Sequence, residues 1–189
     1  MDAPSSASRR TRETYRHGNL RAEAVQAAYD LATADGAAAL SLRAVAEKVG
    51  VAHRSLYNHF ADREALVDAV AEQGFRRLAE ALKPAVTPGE YVRAYVGFAL
   101  ERPLLYALMK SRPHATMKAR PDLQRAVHLT IGEAMRLFGR QDRSAAENRR
   151  AVMRVIVLLH GGISMHQAGI LDVPGDEGLI AELTAMLDA

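Results

Sequence analysis

The sequence predicts an all-α protein with a small N-terminal helical domain followed by a larger helical domain, about nine helices in total. Alanine and leucine are abundant, whereas aromatic residues make up only 5% of the 189 residues, which favours packed helices over a β-sandwich or barrel. Apolar residues recur at helical spacing between recognisable caps and breakers, and no segment shows the two-residue alternation of a strand.

The first predicted helix runs from about Arg21 to Ala34 and ends at Asp35 and Gly36. Before it, residues 1–19 mix Ser, Pro, Thr and Arg without periodicity, and we expect a flexible basic arm there. The arginines of this arm either follow DNA phosphates and enter a minor groove, or belong to a solvated tail without fixed contacts. They are Arg9, Arg10, Arg12 and Arg16.

A helix-turn-helix is predicted over residues 42–60. Ser41 is a good N-cap for its first helix, and Gly50 suits the left-handed conformation that ends this helix and turns the chain. A second helix begins near His53, and its outward side carries donors but no acid. This pattern favours contact with a polyanion over the alternative, a plain helical hairpin with a solvated face. The inward-facing residues of the second helix are Leu56 and Phe60.

Three cationic or potentially cationic side chains are candidates for reading DNA bases. Arg54 is the first, because a guanidinium binds guanine O6 and N7 together in the major groove. His53 and Arg43 are the next candidates. Asn58 either reads adenine or faces solvent, and the sequence leaves both possibilities open.

A long helix over residues 63–82, with Asp62 as its N-cap, is predicted to connect this head to the rest of the chain. Five further helices follow, and the segment 111–119 is predicted to be irregular. Their predicted ranges are 88–101, 103–110, 121–138, 144–168 and 176–187.

The helix around residues 152–165 is apolar on nearly every side, which is more than a one-sided surface helix requires. Together with the last helix it predicts a two-fold, four-helix dimer interface, and Gly161 and Gly162 would allow close approach of a partner. The alternative is a buried central helix of a monomer. The predicted interface residues are Val152, Val155, Ile156, Leu159, Ile163, Leu179, Leu183 and Met186.

Aromatic and thioether side chains in the second domain predict a cavity for a mid-sized apolar or aromatic ligand. For each of them, ordinary core packing is the alternative role. Histidines 114, 128, 160 and 166 match no short metal-ligand spacing, so no metal and no cofactor are expected. The candidate ligand-binding residues are Tyr91, Tyr95, Phe98, Tyr106, Met109, Met117, His128, Met135 and His160.

The chain resembles the TetR/AcrR family of transcriptional regulators from Leu20 to Leu66. The resemblance rests on the pattern AxxxGV from Ala46, on LYNHF from Leu56, and on DREAL from Asp62. The segments RPLLYALM and LLHGGISMHQAG are similar to the C-terminal domain of the branch named for its Trp-His-Gly motif. The chain contains no tryptophan, so this motif is incomplete here.

The resemblance implies a DNA-binding domain over residues 20–66, linked through the helix 63–82 to a regulatory and dimerisation domain over 67–189. It implies a homodimer that binds a double-stranded operator, most simply as a repressor released by an unknown small-molecule effector. An activator of the same fold and a small helical enzyme or ligand-binding protein remain as alternatives. The resemblance also implies phosphate contacts by Ser55, Tyr57, His59 and Arg63. For His59 the alternative is packing against the first helix.

Several classes of protein are excluded by composition. The chain has no cysteine, which removes disulfides, thiolate catalysis and cysteine-ligated zinc. No nucleophile–base pair or phosphate loop supports an enzyme. No apolar stretch is long enough for a membrane span or follows the pattern of a secretory signal, so we expect a cytoplasmic protein without a membrane partner.

Overall fold

The computed structural model describes the backbone of residues 6–188 and the side chains of residues 19–113 and 117–187. Over that range the chain folds into nine α-helices without a strand, so the predicted all-α class is confirmed. No helix among the described residues is both long enough and apolar enough to cross a membrane. The helices are α1 Ser6–Asp35, α2 Leu42–Val49, α3 His53–Leu56, α4 Arg63–Leu82, α5 Pro88–Glu101, α6 Pro103–Lys110, α7 Pro121–Phe138, α8 Ala145–Gln167 and α9 Gly175–Asp188.

Helix α1 begins at Ser6, well before the predicted start near Arg21. The expectation that the N-terminal arm lacks regular structure is therefore wrong from residue 6 onward. After Pro4 this segment contains no proline and only one glycine, Gly18, and its Ala, Arg and Glu residues favour helix. The side chains that were candidates for DNA contact lie outside the described part of the chain. They are Arg9, Arg10, Arg12 and Arg16.

The predicted helix-turn-helix is present, and its caps have the expected geometry. The Ser41 hydroxyl accepts a hydrogen bond from the amide of Ala44 at 3.0 Å. Gly50 adopts φ 71° and ψ 36°, the left-handed conformation that a side chain with a Cβ rarely takes. Leu56 and Phe60 are buried, so the second helix is anchored by its inner side.

Helix α4 is the structural centre of the molecule. The Asp62 carboxylate caps it by accepting from the amide of Ala65 at 2.8 Å. Along its length α4 packs against α1 of the head and against α5, α6 and α7 of the second domain. Because Leu66, Val70 and Leu78 are fully buried, the helix is held on several sides. It therefore connects the packing of the head to that of the second domain.

The segment between α6 and α7 is more regular than predicted. Residues 111–119 were expected to be irregular, but His114–Ala119 forms a 3-10 helix. Pro113 precedes it with φ −65° and extended ψ, a conformation suited to the residue before a helical turn. The turn ends at Arg120, immediately before α7.

Candidate nucleic-acid interface and ligand cavity

The orientation of α3 is set by two buried side chains. Leu56 and Phe60 are 0% and 2% exposed. The Phe60 amide donates to the Leu56 carbonyl at 2.9 Å, so the turn after α3 continues one helical hydrogen bond. The opposite side faces solvent, as predicted. Its exposed residues are His53, Arg54, Tyr57 and Asn58.

This exposed side is rich in hydrogen-bond donors. The rings of His53 and Tyr57 pack edge to face with centroids 5.1 Å apart, which restrains both side chains. Arg43 is exposed on α2, whereas Ser55 on α3 and His59 just after it are half-buried. No acidic residue occurs from residue 48 to residue 61. The arrangement suits base and phosphate contacts from a helix lying in a major groove.

Arg63, for which the resemblance implies a phosphate contact, also makes contacts within the chain. Its Nε donates to the Leu40 carbonyl at 2.9 Å, one terminal nitrogen donates to the Ala37 carbonyl at 2.6 Å, and the other pairs with Glu64 at 3.0 Å. Each nitrogen makes one contact within the chain, and each terminal nitrogen keeps a second N–H on a side chain that is 46% exposed, so the phosphate contact stays a prediction. Arg63 ties the start of α4 to the loop in front of α2.

A continuous set of charged side chains, here called the α4 ion-pair chain, extends from this tie into the second domain. Glu64 also accepts from Arg112 at 2.8 Å, and Arg112 reaches Asp68 at 3.1 Å. Asp68 in turn pairs with Arg120 at 2.7 Å. Hydrogen bonding to Arg112 lowers the pKa of Glu64. Its members are Arg63, Glu64, Asp68, Arg112 and Arg120.

A cavity of about 510 Å³ lies in the second domain, within the size range of small-molecule sites. It contains five of the nine predicted ligand-binding residues, so the prediction of a cavity with an aromatic and thioether lining agrees with the structure. These five are Tyr91, Tyr95, Met109, Met117 and His160.

His160 is the polar centre of this cavity. Its Nδ1 lies 2.5 Å from the Tyr106 hydroxyl, and its Nε2 lies 3.5 Å from the Tyr95 hydroxyl. Burial, together with the positive charge of Lys110, lowers the pKa of His160 below its ordinary value. Burial also raises the pKa of both tyrosines. The three groups are therefore neutral near pH 7. No three carboxylate or imidazole side chains gather into a metal-binding group among the described residues.

Four predicted ligand-binding residues are not in the cavity wall. Tyr106 packs behind His160, with ring centroids 5.6 Å apart. Phe98 lines a different groove with Tyr29, because it points from α5 toward α1. His128 is exposed, and Met135 is half-buried outside the cavity. Helical spacing identified the helices that carry these residues, but it did not show which side of each helix faces the cavity.

The remaining wall residues were missed by the sequence analysis. Most are ordinary apolar residues whose only signal was helical periodicity. Arg112 was missed because it lies in the segment predicted to be irregular. The missed residues are Phe75, Lys110, Arg112, Val127, Thr130, Ile131, Met153 and Ile156.

Six of the eight predicted dimer-interface residues are buried within the single chain, where α8 packs against α5, α7 and α9, and the interface stays a prediction. Gly162 lets α9 approach α8 closely: a Cβ at this position would lie 2.6 Å from Leu183. Ile156 lines the cavity instead, while Met186 is 57% exposed and remains available. The six interface candidates buried within one chain are Val152, Val155, Leu159, Ile163, Leu179 and Leu183.

An apolar stripe of α8 remains uncovered and is here called the outer face. Its members recur every four residues, so they share one side of the helix. Val157 is 62% exposed, and Gly161 has open space around it. The outer face consists of Met153, Val157, Gly161 and Met165.

A helix-turn-helix head with an acid-free outer side, joined by one central helix to a helical domain with a cavity, defines a DNA-binding transcriptional regulator. Two family models match the chain. Residues 24–70 match the model for bacterial regulatory proteins of the tetR family. Residues 90–188, more than half of the chain, match the tetracyclin repressor-like C-terminal domain. The protein belongs to the TetR family of transcriptional regulators.

Individual relatives agree with this assignment. The chain is 30% identical to a Rhodococcus sp. RHA1 protein of unknown function, with a TM-score of 0.73, covering 92% of this chain and 95% of that one. A TetR transcriptional regulator from the same organism shares the fold, with a TM-score of 0.64 at 22% identity over 92% and 97% of the two chains. An uncharacterized HTH-type transcriptional regulator of Bacillus subtilis (strain 168), YobS, is 34% identical over 95 residues.

The YobS match covers 46% of this chain and half of the length of YobS. The family consists of transcriptional regulators, which are not enzymes, so the enzymatic alternative is excluded. None of these matches names the Trp-His-Gly branch, and that placement stays a prediction.

Proposed function

We propose that the protein is a homodimeric repressor, acting on DNA in the cytoplasm, that leaves its operator when a small molecule enters the cavity. The observation that carries this proposal is the position of α4. Phe75 of this helix lines the cavity, while Arg63 at its first turn holds the loop in front of α2. A ligand that displaces α4 therefore also displaces the head.

Dimerisation is supported by the outer face of α8. Three large apolar side chains on this stripe are 41–62% exposed: Met153, Val157 and Met165. In a two-fold dimer each would contact the same surface of the second copy. Two heads would then read half-sites about one helical turn, roughly 34–36 Å, apart, which explains a preference for an inverted repeat.

The regulatory step requires only a modest coupling between the two sites. A free-energy coupling of about 1–3 kcal/mol weakens operator binding by roughly 5- to 150-fold. Any displacement that changes the spacing of the two α3 helices meets this requirement, because both must enter successive major grooves at once. The ligand shifts the protein from one arrangement of α4 to the other to the extent that it binds the second arrangement more tightly.

Selection from a pool of random DNA duplexes tests the proposal and requires no assumption about the operator sequence. We expect enrichment of an inverted repeat and a steep loss of affinity between low and physiological salt. Arg54→Ala should weaken binding to the enriched site by about 1–3 kcal/mol and relax selection at one base pair in each half-site.

Arg125→Ala is the matched control, since this exposed arginine of α7 pairs with Asp122 on its own helix and is not part of the outward side of α3. It should bind the enriched site like the unaltered protein. Enrichment of no repeat, or normal site selection by Arg54→Ala, would contradict the assignment.

A further inference from the structure

We propose that the cavity takes an organic carboxylate with an apolar or aromatic body, and that Arg112 both binds the carboxylate and passes its presence to α4. The binding part of this inference stands on the cavity alone. The effect on DNA rests on the proposed regulatory function.

Arg112 offers a donor that the protein itself leaves unused. Its side chain is only 13% exposed, and one terminal nitrogen serves both Glu64 and Asp68. The Nε–H is buried and has no hydrogen-bond partner among the described residues. A buried donor is normally paired, so this unpaired Nε–H, which neighbouring atoms cover in the free protein, becomes available to a ligand acceptor when the Arg112 side chain turns toward the cavity that it lines.

The charged residues in the cavity wall indicate that this acceptor carries a negative charge. Within the described part of the chain, Lys110 and Arg112 are the two charged residues lining the cavity, and no carboxylate lines it with them. The Thr130 hydroxyl already donates to backbone carbonyls of its own chain. His160 is neutral, because burial and Lys110 lower its pKa. Arg112 pairs with Glu64 and Asp68 outside the wall, and Lys110 has no carboxylate partner among the described residues, so the wall favours an anion and disfavours an amine.

The other residues that line the cavity indicate the chemistry of the rest of the ligand. Apart from the groups already named, the lining is aromatic, aliphatic or thioether, and it includes Phe75, Tyr91 and Ile131. A guanidinium binds a planar carboxylate in a directional way that a neutral head group does not match. One carboxylate on an apolar body of moderate length therefore satisfies the cavity, and its volume of about 510 Å³ leaves room for such a molecule.

The coupling to α4 follows from the shared guanidinium. Arg112 cannot keep its full interaction with Glu64 and Asp68 while a third carboxylate binds it, because the three anions repel one another. Glu64 lies next to Arg63, which holds the loop in front of α2. Binding of an anion in the cavity therefore loosens the α4 ion-pair chain at the turn that positions the head.

Three probes of equal size separate the head-group chemistry: 6-phenylhexanoate, 6-phenylhexan-1-ol and 6-phenylhexylamine. Calorimetric titration of the full-length protein should give at least tenfold tighter binding for the acid than for the alcohol, with the amine weakest. In Arg112→Met the acid should bind no more tightly than the alcohol, whose affinity should be unchanged. Arg125→Met, a surface arginine of α7 outside the cavity, is the matched control.

A second variant keeps Arg112 and tests the coupling. Glu64→Gln removes one carboxylate that competes for Arg112, so 6-phenylhexanoate should bind two- to fivefold more tightly. In this variant, 6-phenylhexanoate should also change the affinity for the enriched DNA site less than it does in the unaltered protein. Glu80→Gln, on the exposed side of the same helix, is the control and should change neither value.

The outcomes separate this inference from the proposed function. Equal binding of the acid and the alcohol, no binding of the acid, or an unchanged preference for the acid in Arg112→Met overturns the carboxylate site. A preference for the acid without any effect on DNA keeps the site and removes its regulatory role. Release of DNA by the alcohol as effectively as by the acid keeps the regulator and overturns the inference.

Discussion

The outer face of α8 makes the proposed dimer testable with a single charge. Val157 is 62% exposed in the isolated chain. Full burial of a valine side chain contributes about 1.5–3 kcal/mol, so covering the exposed part contributes about 1–2 kcal/mol in each subunit. In a two-fold dimer Val157 is covered once in each subunit, so the total contribution is about 2–4 kcal/mol. Val157→Arg should therefore weaken the dimer by roughly 30- to 1000-fold, and the cost of burying the arginine charge adds to this loss.

Sedimentation equilibrium over a wide range of protein concentrations measures this change. Val86→Arg is the matched control, because this valine is 73% exposed in the turn between α4 and α5 and is not part of the outer face. It should leave the dimer intact. Equal dissociation of the two variants, or a Val157→Arg protein that remains dimeric at the dilution limit, would refute the role of the outer face.

Two further predictions concern α8. Gly162→Ala should lower the free energy of unfolding by about 1–3 kcal/mol in urea titrations, because the new Cβ would meet Leu183 at 2.6 Å. Gly161 has open space around it, so Gly161→Ala should be neutral or stabilising. Equal effects of the two changes would argue against the close α8–α9 contact. Burial lowers the pKa of His160 in the folded chain, so the stability that depends on its neutral form is fully present above the unfolded pKa of about 6.5 and declines as the pH falls below that value. His160→Gln should therefore show a shallower loss of stability between pH 7.5 and 5.5, and parallel profiles for the two proteins would exclude this residue as the cause.

The helix boundaries were predictable because they depend on local chemistry. Ser41 and Asp62 cap their helices through hydrogen bonds within three residues, so their identity and position in the sequence were sufficient. The same holds for Thr87 and Ser144, each of which forms a reciprocal capping box with a glutamate three residues later. The start of α1 was missed because residues 6–19 show no apolar periodicity.

The sites were less predictable because they depend on how the helices rotate against one another. Helix α8 is apolar on nearly all sides, so its sequence could not show which side α9 would cover. The internal contacts of Arg63 were not predictable for a similar reason. Only the folded chain brings the carbonyls of Ala37 and Leu40, more than twenty residues away, to its guanidinium. Arg112 likewise meets Glu64 across 48 residues of sequence.

The tie between Arg63 and the loop in front of α2 limits how such a protein can be engineered. A hybrid that grafts this head onto a foreign body would separate Glu64 from Arg112 and remove the packing of Leu104, on α6, beside Gly36. Under the proposed coupling, the transplanted head would no longer respond to a ligand bound by the foreign second domain. A working exchange has to carry both sides of this junction together, as a matched pair.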